Sequence, residues 1–180
     1  MSGRLRVGAA WALVVPFVAL SRPAPTLLVS GAFISVVGLA LRAWAAGSID
    51  KGEALATGGP YAYTRNPLYL GSFIIGAGAG LAGGHWVWLA VFALFFAAVY
   101  IPTMRREAEE LSDRFGERYR EYAAHVPAFA VSMAPYRATE ADSAPSGFAW
   151  SRYGRYREWE AALGVLGLFA VLSAKLWLSG

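Results

Sequence analysis

The sequence predicts an all-α fold: an integral membrane helical bundle of about five transmembrane helices, N-terminus cytoplasmic, with cytoplasmic amphipathic helices. Three observations carry this prediction. Of 180 residues, 57% are hydrophobic and 16% charged, against about 45–50% and about 25% in soluble chains. The apolar residues gather into five runs, and the charges between them sort to one side once the crossings are drawn. Sixteen Lys and Arg against twelve Asp and Glu leave +4, too small a surplus to suggest nucleic acid. Cysteine is absent, which removes disulfides, thiolate nucleophiles and Cys-ligated metal sites together.

The first run, Val7–Ser21, and the second, Pro25–Ala46, form a helical hairpin turned by Arg22-Pro23-Ala24-Pro25. A second apolar run following at once, with no small-residue cleavage site between, argues against a signal peptide. The third and fourth runs, Leu68–Leu81 and Trp86–Ile101, are broken by Gly83-Gly84-His85, and the fifth is Ala161–Leu178. Several fall short of the ~20 residues that span a bilayer comfortably, so tilt or flanking residues must make up length. With the N-terminus inside, fourteen of the sixteen basic residues lie on the cytoplasmic side, only Arg22 and Lys175 outside. That is the asymmetry of the positive-inside rule. All twelve acidic residues fall on the same face. The expected organisation is a core over 1–137 followed by a tail over 138–180. The core comprises hairpin 7–46, a segment 47–71, hairpin 68–102 and a cytoplasmic helix 103–125. The tail holds a linker, an interfacial segment and the last crossing. The chain is therefore expected in a membrane (the plasma membrane, if bacterial) with its polar residues facing the cytoplasm.

Gly58-Gly59-Pro60-Tyr61-Ala62-Tyr63-Thr64-Arg65-Asn66-Pro67-Leu68-Tyr69-Leu70-Gly71 is the densest motif. Its prolines withhold backbone donors, and Asn66 is steered out of the α region by the proline after it. An irregular approach to a membrane helix leaves amides and carbonyls in need of partners, which a bound ligand could supply. On the residues alone the simpler reading is a rigid interfacial turn, its tyrosines an aromatic belt and Arg65 a headgroup anchor.

A second motif runs from Arg105-Arg106-Glu107-Ala108-Glu109-Glu110-Leu111 to Phe115-Gly116-Glu117-Arg118-Tyr119-Arg120-Glu121-Tyr122, and Val126-Pro127 ends it. At about 100° per residue, Glu107 falls at the edge of the apolar face and Glu109 squarely on the polar side, with Glu110 between. Only Glu107 is placed to turn towards a pocket under the membrane helices. An ion pair is the simpler reading of that residue too.

Together, in this order and membrane context, the two motifs resemble the isoprenylcysteine carboxyl methyltransferase family. These are integral membrane S-adenosylmethionine-dependent enzymes allied to the phospholipid methyltransferases. The resemblance covers Glu53 to Pro127 and reverses both simpler readings. It implies S-adenosyl-L-methionine as cofactor, bordered by Ala54, Leu55 and Ala56. It further implies cofactor contacts from Tyr61, Asn66, Pro67, Leu68, Tyr69 and Glu107, with Arg65 and Glu107 positioning the reactants. Asn66 stands where many members carry His, and Ala108 where a second glutamate is common. No covalent catalytic residue is expected. The implied acceptor is a lipid or prenylated small molecule, an isoprenylcysteine-like carboxylate or a related lipid, reached from the bilayer.

Other signals are weaker. Gly76 and Gly80 suit close helix packing better than phosphate binding. His85 and His125 lack a second ligand at metal spacing, so no metal is expected. Phe148–Trp159 interleaves aromatics with Arg152, Arg155 and Arg157, as an interfacial helix would. Two other function classes stand beside the methyltransferase: an NADPH-dependent reductase of the sterol-reductase type, and a non-catalytic scaffold. Only Lys51 and Arg65 are basic within Gly47–Pro67, a poor cluster for a 2′-phosphate.

Overall fold

A computed structural model describes residues 13–49, 54–137 and 147–179. The start of the first hairpin, Lys51, Glu53 and most of the 138–147 linker lie outside the described residues. Helix α1 occupies 13–20 of the described chain. It is followed by α2 (Pro25–Ser48), a short 3₁₀ turn (Gly59–Ala62), α3 (Pro67–Ala82), α4 (Trp86–Phe115), α5 (Glu117–His125), α6 (Trp150–Arg155) and α7 (Trp159–Ser179). The fold is all-helical, with no strand among the described residues.

Prolines set two of the starts. Pro25 and Pro67 each stand in the first turn of their helix, where a missing N–H costs nothing and φ is already helical. His85 caps α4, its ring nitrogen accepting from Val87 N. By length and composition α2, α4 and α7 can cross a membrane, and α3 is a shorter apolar helix. At about 1.5 Å per residue α3 extends about 24 Å against a hydrocarbon core of about 30 Å.

The helix expected over 103–125 is not a separate element. α4 runs on through Pro102 for 30 residues, because one proline removes only the hydrogen bond to Ala98 and the turns on either side keep theirs. The break falls instead at Gly116, whose φ of 56° and ψ of −127° suit glycine and little else.

Glycines bring α2 and α3 into backbone contact. A Cβ on Gly38 would stand 2.7 Å from Gly71 O, and one on Gly78 would stand 2.5 Å from both Gly31 O and Ser35 Oγ. Without a hydrophobic drive between helices in lipid, such close approach supplies much of the association. Gly76 and Gly80 do serve packing, against Phe92 and Leu89 of α4. An aromatic seam of Phe73, Phe92, Phe96, Tyr100 and Phe129 fills the α3–α4 groove. At the far end of the bundle Lys175 Nζ donates to Val18 O and Ala19 O, both at 2.7 Å. A cation there meets the negative end of α1.

Candidate functional site

One cavity of about 520 Å³ opens where the 54–69 segment, the latter half of α4 and α5 converge. The segment is irregular, yet its backbone is largely provided for by the chain that follows α5. Arg65 N donates to Pro127 O at 3.0 Å, Ser132 N to Tyr63 O at 2.8 Å and Tyr136 N to Ala62 O at 2.9 Å. Tyr122 Oη donates to Tyr61 O at 2.7 Å. These are groups that the sequence left for a ligand to satisfy. The strap after α5, and Tyr122 of α5 itself, satisfy them instead.

All ten residues singled out in the sequence line it: Ala54, Leu55, Ala56, Tyr61, Arg65, Asn66, Pro67, Leu68, Tyr69 and Glu107. Tyr69 Oη donates to Glu107 Oε1 at 2.6 Å, joining the start of α3 to α4. Arg65 Nη1 donates to Tyr119 Oη at 3.2 Å, while its Nε is buried without a partner. Asn66 Nδ2 donates to Ala128 O at 2.8 Å, so the amide that replaces the expected imidazole anchors the strap. Glu109 is exposed, as its place on the wheel requires. Glu110 lines the cavity as well, a correction to the expectation that Glu107 alone turns inward, although Glu110 is itself exposed and pairs with Arg106 at 3.5 Å.

One wall rests on a cluster of Tyr119, Tyr122 and Val126, against which Leu55, Ala108, Leu111 and Phe115 pack. Burial pushes the phenols of Tyr61 and Tyr122 well above their ordinary value. Around Tyr61 the neighbouring Tyr122, Glu107 and Glu158 add to it, and at Tyr122 the Arg65 guanidinium opposes it. Both stay neutral hydrogen-bond donors at physiological pH.

Sequence reasoning missed the opposite wall. Arg42 of α2 and Glu158, just before α7, line the cavity as a two-point ion pair, Nε to Oε2 and Nη2 to Oε1 both at 2.9 Å. An arginine near the end of an otherwise apolar helix was the available signal. Its partner lies 116 residues away. Among the described residues no group of three or more His, Asp or Glu is arranged to hold a metal.

The sequence profile of the phospholipid methyltransferase family matches residues 24–118, which takes in most of this wall-forming region. The chain belongs to that family of membrane methyltransferases, and it is an integral membrane protein. Among curated relatives it is 33% identical over 147 residues to the cobalt-zinc-cadmium resistance protein CzcN of Cupriavidus metallidurans, covering 74% of this chain and 67% of that one. It is 35% identical over 109 residues to the nickel-cobalt-cadmium resistance protein NccN of Alcaligenes xylosoxydans xylosoxydans, covering 59% and 49%. To the protein-S-isoprenylcysteine O-methyltransferase of Schizosaccharomyces pombe it is 33% identical over 78 residues, 43% of this chain and 33% of that one. The chain thus spans two thirds of the first relative, about half of the second and a third of the third. No solved structure matches it with significance.

Proposed function

We propose that the chain is an S-adenosylmethionine-dependent methyltransferase that methylates a lipophilic acceptor at the cytosolic face of the membrane. The observation that carries this reading is that a cation and a carboxylate, Arg65 and Glu107, both line one cavity. Arg65 offers a buried, unpartnered Nε, and Glu107 is oriented by Tyr69. These residues fit a ligand bearing a carboxylate, an ammonium and ribose hydroxyls. The Arg65 fork would meet the α-carboxylate, and Glu107 would accept from a hydroxyl or the amino group. Ala54, Leu55 and Ala56 would border the same ligand, and Tyr61, Asn66, Pro67 and Leu68 would contact it.

Bound there, S-adenosylmethionine supplies a methyl group activated on a sulfonium. The protein's own work is then to align two reactants and keep water from them. A carboxylate acceptor needs no base, which suits a cavity whose phenols are held neutral by burial. The name of the fission-yeast relative favours such an O-methyl acceptor. The bacterial relatives are named for metal resistance.

The test is binding of S-adenosylhomocysteine and of NADPH to detergent-purified protein, with and without Glu107→Ala. Binding of S-adenosylhomocysteine that Glu107→Ala weakens supports the reading. NADPH binding alone moves the chain to the reductases, and binding of neither leaves a scaffold. Transfer of labelled methyl into total lipid extract then identifies the acceptor.

A further inference from the structure

The C-terminal segment lies beyond the residues that the family profile matches, yet it completes one wall of the cavity. Ala149 N and Arg152 Nε both donate to Gly47 O, at 2.9 and 2.8 Å, which satisfies a carbonyl in the last turn of α2. The Phe148 ring stands where any side chain on Gly47 would be. The chain then turns through Arg157, the one non-glycine residue with positive φ (52°) among those described, and delivers Glu158 onto Arg42. A left-handed arginine is a strained way to present the next residue, and strain of this kind gathers at functional sites.

The Glu158 side chain is 9% exposed, with both oxygens on the Arg42 fork. The third nitrogen of that guanidinium, Nη1, donates to Ser72 Oγ at 2.5 Å. Ser72 in turn donates to Leu68 O at 3.0 Å. Arg42 thereby ties the start of α7 to the first turns of α3, which carry Leu68 and Tyr69.

We propose that Glu158 is a positioning residue of the methyl-transfer site, holding the Arg42 guanidinium against α3 and away from Glu107. The inference rests on the function proposed above. Arg42 without its partner is an uncompensated charge in a partly buried wall. The cavity carboxylates then left to it are Glu107 and Glu110. Glu110 is exposed and already meets Arg106. Glu107 lines the same cavity and is bonded by Tyr69, the residue after Leu68, whose carbonyl Arg42 Nη1 meets at 3.4 Å, so it is the carboxylate left for Arg42 to turn to. Drawing Arg42 onto Glu107 would pull that residue from Tyr69 and occupy the acceptor that the cofactor's donors require.

Calorimetry of S-adenosylhomocysteine with the full chain in detergent tests this, with melting temperature measured alongside. Glu158→Gln should weaken binding by about tenfold or more, and Glu158→Asp by no more than about threefold. In the Arg42→Gln/Glu158→Gln double variant the misdirected charge is gone, and affinity should return to within about threefold of the unaltered chain. A purely structural pair would show the loss and the recovery in melting temperature alone, with the affinity of the folded protein unaltered. A folded Glu158→Gln protein with unaltered affinity overturns the proposal, as does a folded double variant that binds no better than the single one. Should Glu158→Gln not fold, a folded double variant with near-native affinity supports the proposal and one that has lost binding overturns it. Failure of the unaltered chain to bind is a different outcome: it overturns the proposed function, and this inference with it.

Discussion

Tyr69 donates to Glu107 across 2.6 Å, and this short bond joins the two motifs that lie far apart in sequence. A hydrogen bond to a charged acceptor contributes about 1.5–3 kcal/mol. Tyr69→Phe should therefore lower the melting temperature by about the few degrees that loss implies, and weaken S-adenosylhomocysteine binding because Glu107 is no longer oriented. Unchanged affinity would remove Glu107 orientation from the site's requirements. Tyr122 acts differently, because its hydroxyl satisfies Tyr61 O. Tyr122→Phe leaves a buried carbonyl unpaired, at a cost of about 1–3 kcal/mol in stability. The same phenols give a pH dependence of known sign. The folded state holds Tyr61 and Tyr122 neutral, above the ordinary value of 10.0. Their contribution is fully present below about pH 10 and is lost as pH rises beyond it. Melting temperature followed from pH 8 to 11 should fall at the alkaline end, and Tyr122→Phe should shallow that fall. At this scale Glu107 was legible, since the period of one helix fixes the face on which a residue stands. Glu110 was not, because the cavity wraps further around α4 than a flat apolar stripe implies.

Among the elements, α2 and α3 depend on the absence of side chains. Gly38→Val or Gly78→Val would drive carbon into backbone at under 3 Å and should destabilise by about 1–3 kcal/mol or more. A methyl group added at Gly164 of α7 would meet nothing within 4 Å, so Gly164→Ala is the matched control and should cost nothing. Equal melting temperatures for Gly78→Val and Gly164→Ala would refute the close-packed seam. The starts of α2, α3 and α4 were readable from Pro25, Pro67 and His85, since caps and prolines act locally. The end of α4 was not. The expected division fell between 102 and 103, but the decisive residue is Gly116, where a positive φ turns the chain, and Pro102 merely thins the hydrogen bonding.

For the whole molecule, the charge asymmetry sets an orientation, and a cysteine-free chain is well suited to testing it. With the N-terminus inside and five crossings, α4's polar end faces the cytosol and the end of α7 faces outward. A membrane-impermeant maleimide should label Ser179→Cys on intact cells and Glu109→Cys only after permeabilisation. The reverse pattern would place the cavity on the outer side and contradict the charge asymmetry on which the expectation rests.

The sequence by itself determined that the chain is helical and membrane-borne, because hydropathy and charge asymmetry are sums over residues and need no coordinates. Through the family resemblance of two short motifs it also pointed to ten residues that line the cavity, but not to Arg42, Glu110 or Glu158. Only the tertiary structure decided how the approach to α3 is satisfied, by a strap of chain after α5, and that Arg42 meets Glu158 across 116 residues. Pairing at that separation follows from helix packing and from a strained turn at Arg157. No local pattern records it, since an arginine in one helix and a glutamate before another carry no mutual spacing until the bundle brings them together.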